Sequence, residues 1–126
     1  MKQVLPIVYM ACPYSKGDKL YNLRRSMDVW KELYDTGVMA PINPLWSHYQ
    51  DGVTPMDYED WLHYDFNLIR ACHMMLRLSG ESDGADREVE FAMSNDIPVF
   101  FQPIRQHWKA SAIVAACSHY KRIAEA

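Results

Sequence analysis

The stretch CHMMLRLSGESDGADREVEFAMSNDIPVFF, Cys72 to Phe101, contains the alternation that decides the fold. It opens with an apolar run, Cys72–Leu78, and continues with a glycine-bearing loop, Ser79–Gly84. Ala85–Asn95 then has the period of an amphipathic helix, and a second apolar run, Ile97–Phe101, completes the unit. A strand, a helix and another strand in this order are typical of a parallel sheet whose strands are connected by helices.

The rest of the chain repeats this alternation. The other predicted elements are, in chain order, a strand at Val4–Ala11, a helix at Asp18–Tyr34 that is capped at Gly37, a strand at Val38–Ile42, a loop at Asn43–Val53, a helix from Thr54 and Pro55 to about Ala71, and a helix at His107–Ala124. We therefore predict a single α/β domain over residues 1–126. Its expected architecture is a flavodoxin- or Rossmann-like three-layer sandwich with a four- to five-stranded parallel sheet.

The composition argues against several classes of protein. A formal charge of −3 on 126 residues does not provide the basic surface of a protein that binds polymeric nucleic acid. No run approaches the ~18 apolar residues of a membrane span, and the apolar start is interpreted as a strand rather than a signal peptide. Three separated cysteines and five histidines fit neither a disulfide framework nor a metal site, so we expect a cytoplasmic protein without a bound metal.

Carboxylates crowd into the first turns of the predicted helix Ala85–Asn95. At about 100° per residue, Glu88 has apolar neighbours three and four positions away and borders the buried side, whereas Asp86 and Glu90 lie on a polar face. Acidic residues favour the first turn because the helix dipole is positive there. The pattern alone is therefore compatible with a solvated helix start and with a functional carboxylate at Glu88.

Three segments carry a resemblance to a known superfamily: YMACPYS at Tyr9–Ser15, Asp65 before the third strand, and SDGADREVEFA at Ser82–Ala92. Together they resemble the nucleoside 2-deoxyribosyltransferase superfamily, which includes nucleoside deoxyribosyltransferases and nucleoside 5′-monophosphate N-glycosidases. The similarity covers Val4 to about Phe101. Its sharpest element is the spacing of Gly84, Glu88 and Ala92.

The resemblance implies a catalytic role for three residues. Glu88 matches the family's nucleophile, which would form a covalent ester with the anomeric carbon of the sugar. Asp65 matches the aspartate that would protonate the departing base, and Tyr9 matches a tyrosine that would orient the glutamate by a hydrogen bond. Without the resemblance, Asp65 equally fits an exposed helix face, and Tyr9 fits a core aromatic residue.

The loop before the acidic helix bears on the substrate. Family members that act on nucleosides typically have aspartate where Ser82 stands, and the monophosphate hydrolases have serine, so the resemblance favours a 5′-phosphate. A serine hydroxyl and the N–H groups near Gly84 suit an anion, although Ser82 also fits an ordinary loop. The segment CPYSKGD departs from the Gly-Ser and basic pattern of those hydrolases, and Ser15 and Lys16 would contact the phosphate instead.

The segment PINPLWSHYQ, Pro41 to Gln50, is the expected base pocket. Trp46 offers a face for stacking on a base, and His48 offers a polar edge. Trp46 equally fits a hydrophobic lid or a subunit interface.

The resemblance implies an enzyme that cleaves or transfers the N-glycosidic bond of a small-molecule nucleotide or nucleoside, with no cofactor. It also implies a homo-oligomer, a dimer or larger, in which subunits complete each other's sites. The apolar segment Phe100–Tyr120 is the expected contact surface. The alternative is a catalytically silent nucleotide- or ADP-ribose-binding module of the same fold, and a third possibility is a structural interaction protein.

Overall fold

The computed structural model describes residues 4–103 and 107–125. Its strands are β1 (Ile7–Ala11), β2 (Ala40–Ile42), β3 (Met74–Arg77) and β4 (Val99–Phe101), and its helices are α1 (Lys19–Asp35), α2 (Ser47–Val53), α3 (Tyr58–Ala71), α4 (Asp83–Ser94) and α5 (Ala112–Glu125). The strands pair in parallel in the order β2-β1-β3-β4. The predicted α/β architecture is confirmed, with a four-stranded sheet in the described part of the chain.

Alternate side chains of the central strands pack into two apolar layers. Val8 and Met10 of β1 belong to the layer that α1 and α5 cover, whereas Tyr9 and Ala11 belong to the layer that α3 and α4 cover. Successive side chains of a strand point to opposite faces of the sheet, so each residue has a fixed layer. Tyr9 therefore faces α3 and α4, the two helices that carry the predicted acids.

The strand order places a crevice at the carboxyl ends of β1 and β3. From β1 the chain proceeds to β2 on one side, and then crosses β1 to reach β3 on the other side. The loops that leave β1 and β3 diverge for this reason. In open parallel sheets, ligands bind where such loops part.

Both ends of α1 agree with the sequence prediction. The carboxylate of Asp18 accepts hydrogen bonds from the N–H groups of Leu20 at 2.9 Å and Tyr21 at 3.1 Å, so it caps the helix start. Gly37 follows the helix end with a φ of 73°, which only glycine adopts without strain.

The prediction of a loop at residues 43–53 is wrong, because this segment contains a 3₁₀ turn at Pro44–Trp46 and the helix α2. The Asn43 side chain accepts a hydrogen bond from the N–H of Leu45 at 3.0 Å. Asparagine followed by proline forms a helix N-terminus here, because the side chain caps the turn and proline fits its first position.

The predicted starts of the next and last helices are also wrong. Thr54 ends α2, with its N–H bonded to the Gln50 carbonyl at 2.8 Å, and α3 begins only at Tyr58. The last segment is divided into a 3₁₀ turn at Trp108–Ala110 and α5. Ser111 separates the two because its backbone is extended and its Oγ accepts from the N–H of Val114 at 3.4 Å, as a helix cap does.

Residues 104–106, inside the segment expected to be a contact surface, lie outside the described residues. Among the helices that the structure describes, none has both the length and the apolar character needed to cross a membrane.

Candidate active site

A cavity of about 570 Å³ opens beyond the ends of β1 and β3. The loop after β1, helix α2, one face of α3 and the start of α4 form its walls. The lining residues are Cys12, Tyr14, Ser15, Lys16, Lys19, Ser47, His48, Asp51, Met56, Tyr58, Trp61, Leu62, Asp65, Ser82, Asp83, Gly84, Ala85 and Glu88. A more open depression of similar volume lies on the outer side of α4 beside Phe101, and neither Glu88 nor Asp65 lines it.

Glu88 is a buried carboxyl on the wall of this cavity. Only 5% of the residue is exposed, and it lies on the buried side of α4 with Ala85 and Ala92. Tyr9, which is fully buried in β1, donates its hydroxyl to Oε2 of Glu88. Burial and the neighbouring carboxylates raise the pKa of Tyr9 well above its usual value, so the phenol keeps its proton and acts as the donor.

Asp65 places a second carboxyl beside this pair. It lies on the cavity face of α3, close enough to Glu88 and Tyr9 to affect the pKa of both groups. Burial raises the pKa of Asp65 to about 7, against the opposing effect of Glu88 and Tyr9. Burial, and secondly the charge of Asp65, raise the pKa of Glu88 well above its usual range. Two neighbouring buried carboxyls do not both ionise readily, so we expect this pair to hold a shared proton.

Arg77 is a further charged residue near the pair, and it was not among the residues predicted from the sequence. It is 7% exposed at the end of β3, and it donates to the Leu78 carbonyl and, at 2.8 Å, to Oδ1 of Asp86. Its charge opposes the rise in the pKa of Glu88. The signal was an arginine inside the apolar run MMLRL, because a charged residue in a central strand must be paired.

The start of α4 forms one end of the cavity. Ser82 caps the helix, since its Oγ accepts from the N–H of Ala85 at 3.1 Å. A methyl group added at Gly84 would lie 2.9 Å from the Tyr58 hydroxyl oxygen, so only glycine fits without displacing Tyr58. The N–H groups of a first helical turn lack partners within the helix and favour anions.

The predicted phosphate contacts Ser15 and Lys16 also line the cavity. The Lys16 ammonium forms an exposed ion pair with Glu81 at 2.9 Å. Lys19, which was not a predicted contact, adds a second ammonium to the same wall.

The predicted base-pocket residues separate in the structure. His48 lines the cavity, and its Nδ1 is hydrogen-bonded to the Tyr14 hydroxyl. Trp46 does not line the cavity; it packs against Trp30 with ring centroids 5.5 Å apart. Trp46 therefore lies outside this cavity, because the 3₁₀ turn directs it toward α1. Trp61 of α3 supplies an indole to the cavity.

Two other groups bear on the chemistry available here. Burial raises the pKa of the Cys12 thiol, so this cavity residue is not an activated thiolate. Within the described residues, no three histidine, cysteine or acidic side chains are grouped as a metal site would require.

The buried acids have a testable consequence for stability. A carboxyl whose pKa is raised on folding stabilises the protein at low pH, and that contribution is lost as the pH rises through the folded value. Asp65→Asn should therefore raise the free energy of unfolding at pH 8 by roughly 2 to 4 kcal/mol, with a smaller gain at pH 5. Urea unfolding at both pH values measures this.

Glu59 offers the control, because the hydrogen bond from Arg87 lowers the pKa of its exposed carboxylate. Glu59→Gln should give no gain at pH 8. Lower stability of Asp65→Asn than of the unaltered protein at pH 8 would contradict the burial argument.

Comparisons with known proteins identify a related fold. No protein-family model and no curated protein sequence matches the chain. Among solved structures, the chain is similar to a 2-deoxyribosyltransferase from the psychrotolerant bacterium Bacillus psychrosaccharolyticus, with a TM-score of 0.52 and 17% identity. The match covers 79% of this chain and 77% of the other. A similarity at this level of identity establishes the fold.

Proposed function

We propose that this protein cleaves or transfers the N-glycosidic bond of a (deoxy)nucleoside or its 5′-monophosphate, through a covalent intermediate on Glu88. The observation that carries the proposal is the buried Glu88 carboxyl, held by the Tyr9 hydroxyl on the cavity wall with the Asp65 carboxyl beside it. The similar solved structure is named as a 2-deoxyribosyltransferase, which is consistent with the proposal.

In the first step, a carboxylate oxygen of Glu88 bonds to C1′ of the sugar. The C1′–N bond breaks, and its electron pair stays with the base, which takes a proton from Asp65. The transition state resembles an oxocarbenium ion, so an adjacent carboxylate stabilises it before the ester forms.

The shared proton explains how one site provides both a nucleophile and an acid. Glu88 must be ionised when it attacks, and Asp65 must carry the proton. The hydrogen bond from Tyr9 and the positive charge of Arg77 both lower the pKa of Glu88 against the effect of burial. Placing the shared proton on Asp65 gives the ionised nucleophile and the protonated acid together, and a pKa of about 7 suits proton transfer at neutral pH.

In the second step, an acceptor attacks C1′ and breaks the ester bond to Glu88. The acceptor is water in hydrolysis and a second base in transfer. Asp65, now ionised, removes the proton of the acceptor, and Glu88 leaves as a carboxylate. The acid of the first step thus serves as the base of the second.

The start of α4 would hold the 5′ end of the substrate. Ser82 and the first N–H groups of the helix suit an anion, and Ser15 and Lys16 lie on the same cavity wall. The negative charge of Asp86 does not oppose a phosphate fully, because Arg77 pairs with it. We therefore favour a 5′-monophosphate over an uncharged nucleoside.

The direct test is to incubate the protein with nucleosides and with their 5′-monophosphates, and to measure free base by chromatography. Base release, faster from monophosphates, is expected. Binding of these compounds without release of base would instead favour a silent binding module.

Tyr9→Phe tests how Glu88 is positioned. It removes the hydroxyl that donates to Oε2 and keeps the aromatic ring in the core. We expect kcat to fall about 10- to 100-fold, the value of a hydrogen bond to a charged group, with little change in KM. The hydrogen bond from Tyr9 lowers the pKa of Glu88, so its loss raises that pKa. The fall in kcat at acid pH should therefore begin at a higher pH in the variant.

Tyr64→Phe is the matched control, since Tyr64 is exposed on α3 outside the cavity. An unshifted pH profile in Tyr9→Phe would show that the hydroxyl does not act through Glu88.

A further inference from the structure

Asp51 of α2 lines the cavity and has no assigned role. Its Oδ1 accepts two hydrogen bonds, from Trp61 Nε1 at 2.8 Å and from the Met56 N–H at 2.9 Å. No described residue hydrogen-bonds to its Oδ2, and no described lysine or arginine lies within 4.0 Å of the carboxylate. One oxygen thus fixes the side chain, and the other is free to accept from a ligand.

The fixed carboxylate is also ionised. The hydrogen bond from Trp61, and secondly that from Met56, hold the pKa of Asp51 below its usual value. The nearby His48 ring and the Lys19 ammonium contribute in the same direction. An ionised carboxylate accepts hydrogen bonds and donates none.

The position of Asp51 relates it to the base of the proposed substrate. Trp61, which holds Asp51, precedes Asp65 by four residues on the cavity face of α3, a rise of about 6 Å along the helix. If Asp65 protonates one edge of the base, the base lies along this face and its far edge reaches toward Trp61 and Asp51. The rise of about 6 Å between Trp61 and Asp65 along α3 is comparable with the width of a nucleobase.

We infer that Asp51 determines base specificity: its free Oδ2 accepts a hydrogen bond from an exocyclic amino group, so that amino-bearing bases are selected over their oxo counterparts. The inference rests on the proposed function, which places the base against Asp65. An oxo group in the same place would bring its oxygen against the carboxylate with no proton between them, and polar groups left unpaired in a site weaken binding strongly.

Paired substrates that replace this amino group with an oxo group, and add a proton to the adjacent ring nitrogen, test the inference. The pairs are adenosine with inosine and cytidine with uridine, each used as nucleoside or as 5′-monophosphate according to which form is turned over. We expect kcat/KM to be about 10- to 100-fold higher for the amino member of each pair. A ratio near one in both pairs would overturn the inference.

Asp51→Asn separates recognition from structure. The amide oxygen can still accept from Trp61 and Met56, while an NH₂ donor replaces the free oxygen. The ratio of kcat/KM for the amino member to kcat/KM for the oxo member should fall at least tenfold, so that the preference moves toward the oxo member. Glu59→Gln is the control on the same side of the molecule, because Glu59 pairs with Arg87 outside the cavity, and it should leave the ratio unchanged. An unchanged ratio in Asp51→Asn would also overturn the inference.

Calorimetric binding to the Glu88→Gln variant distinguishes a failure of this inference from a failure of the proposed function. One outcome is that the unaltered protein releases no base, while the variant binds adenosine more tightly than inosine and loses this preference when Asp51 is replaced. In that case the proposed reaction fails and the role of Asp51 stands. If base is released with equal binding of both members, the reaction stands and the role of Asp51 fails. Binding of neither member in either pair would overturn the role of Asp51 as well.

Discussion

Glu88→Gln is expected to lower kcat for base release by about 10³-fold or more. The amide has almost the same shape as the carboxylate, but it is a poor nucleophile and cannot stabilise a developing positive charge. Its carbonyl oxygen can still accept a hydrogen bond from the Tyr9 hydroxyl, so the fold and the cavity should persist. The measurement is free base by chromatography at saturating substrate, together with calorimetric binding of the same compound.

Glu90→Gln is the matched control for this substitution. Glu90 lies two residues away on the same helix, is exposed, and does not line the cavity. Its substitution should leave kcat within about twofold of the unaltered protein, as is usual for a surface change. Turnover of Glu88→Gln at a comparable level would remove Glu88 from the mechanism.

Asp65→Asn is expected to lower kcat by about 10²- to 10⁴-fold with ordinary bases, the range for loss of a general acid. The loss should be much smaller with a 7-methylpurine nucleoside or nucleotide, whose positively charged base departs as a neutral molecule without a proton. A role in protonating the base therefore predicts a loss that depends on the leaving group, whereas a role in folding predicts equal losses.

The pH dependence of kcat/KM gives a second view of Asp65. With ordinary bases the rate should fall above about pH 7 as Asp65 loses its proton, given its raised pKa. This fall in rate at alkaline pH should be weak or absent with the 7-methylpurine substrate. A general acid at this position would be contradicted by two results together. These are an equal loss of kcat in Asp65→Asn for both substrate types, and an equal fall in rate above pH 7 for both substrate types with the unaltered protein.

The pairing of Tyr9 with Glu88 illustrates what the sequence could predict. The period of the helix placed Glu88 on the buried side of α4, and the alternation along β1 gives Tyr9 one fixed face. Two local periodicities and the order of the elements are sufficient to bring these side chains to one layer. Asp65 depended on the resemblance, because its neighbours on α3 allowed an exposed face as well.

The far end of the cavity could not be predicted in the same way. Trp46 was expected in the base pocket, but the 3₁₀ turn before α2 sends it to Trp30, and Trp61 lines the cavity instead. Asp51 meets Trp61 through a contact between two helices, and no periodicity of one segment specifies such a contact. Arg77 was missed for a related reason, since its partner Asp86 belongs to a different element.

Direct detection of a sugar bound to the chain tests the mechanism most sharply. The protein is mixed with a substrate whose sugar carries fluorine at C2′, which slows breakdown of the ester, and is then analysed by intact mass and peptide mapping. We expect a mass increase of one glycosyl group, located on the peptide that contains Glu88 and missing in Glu88→Gln. Release of base with no adduct, or with an adduct on another residue, would contradict a nucleophilic Glu88.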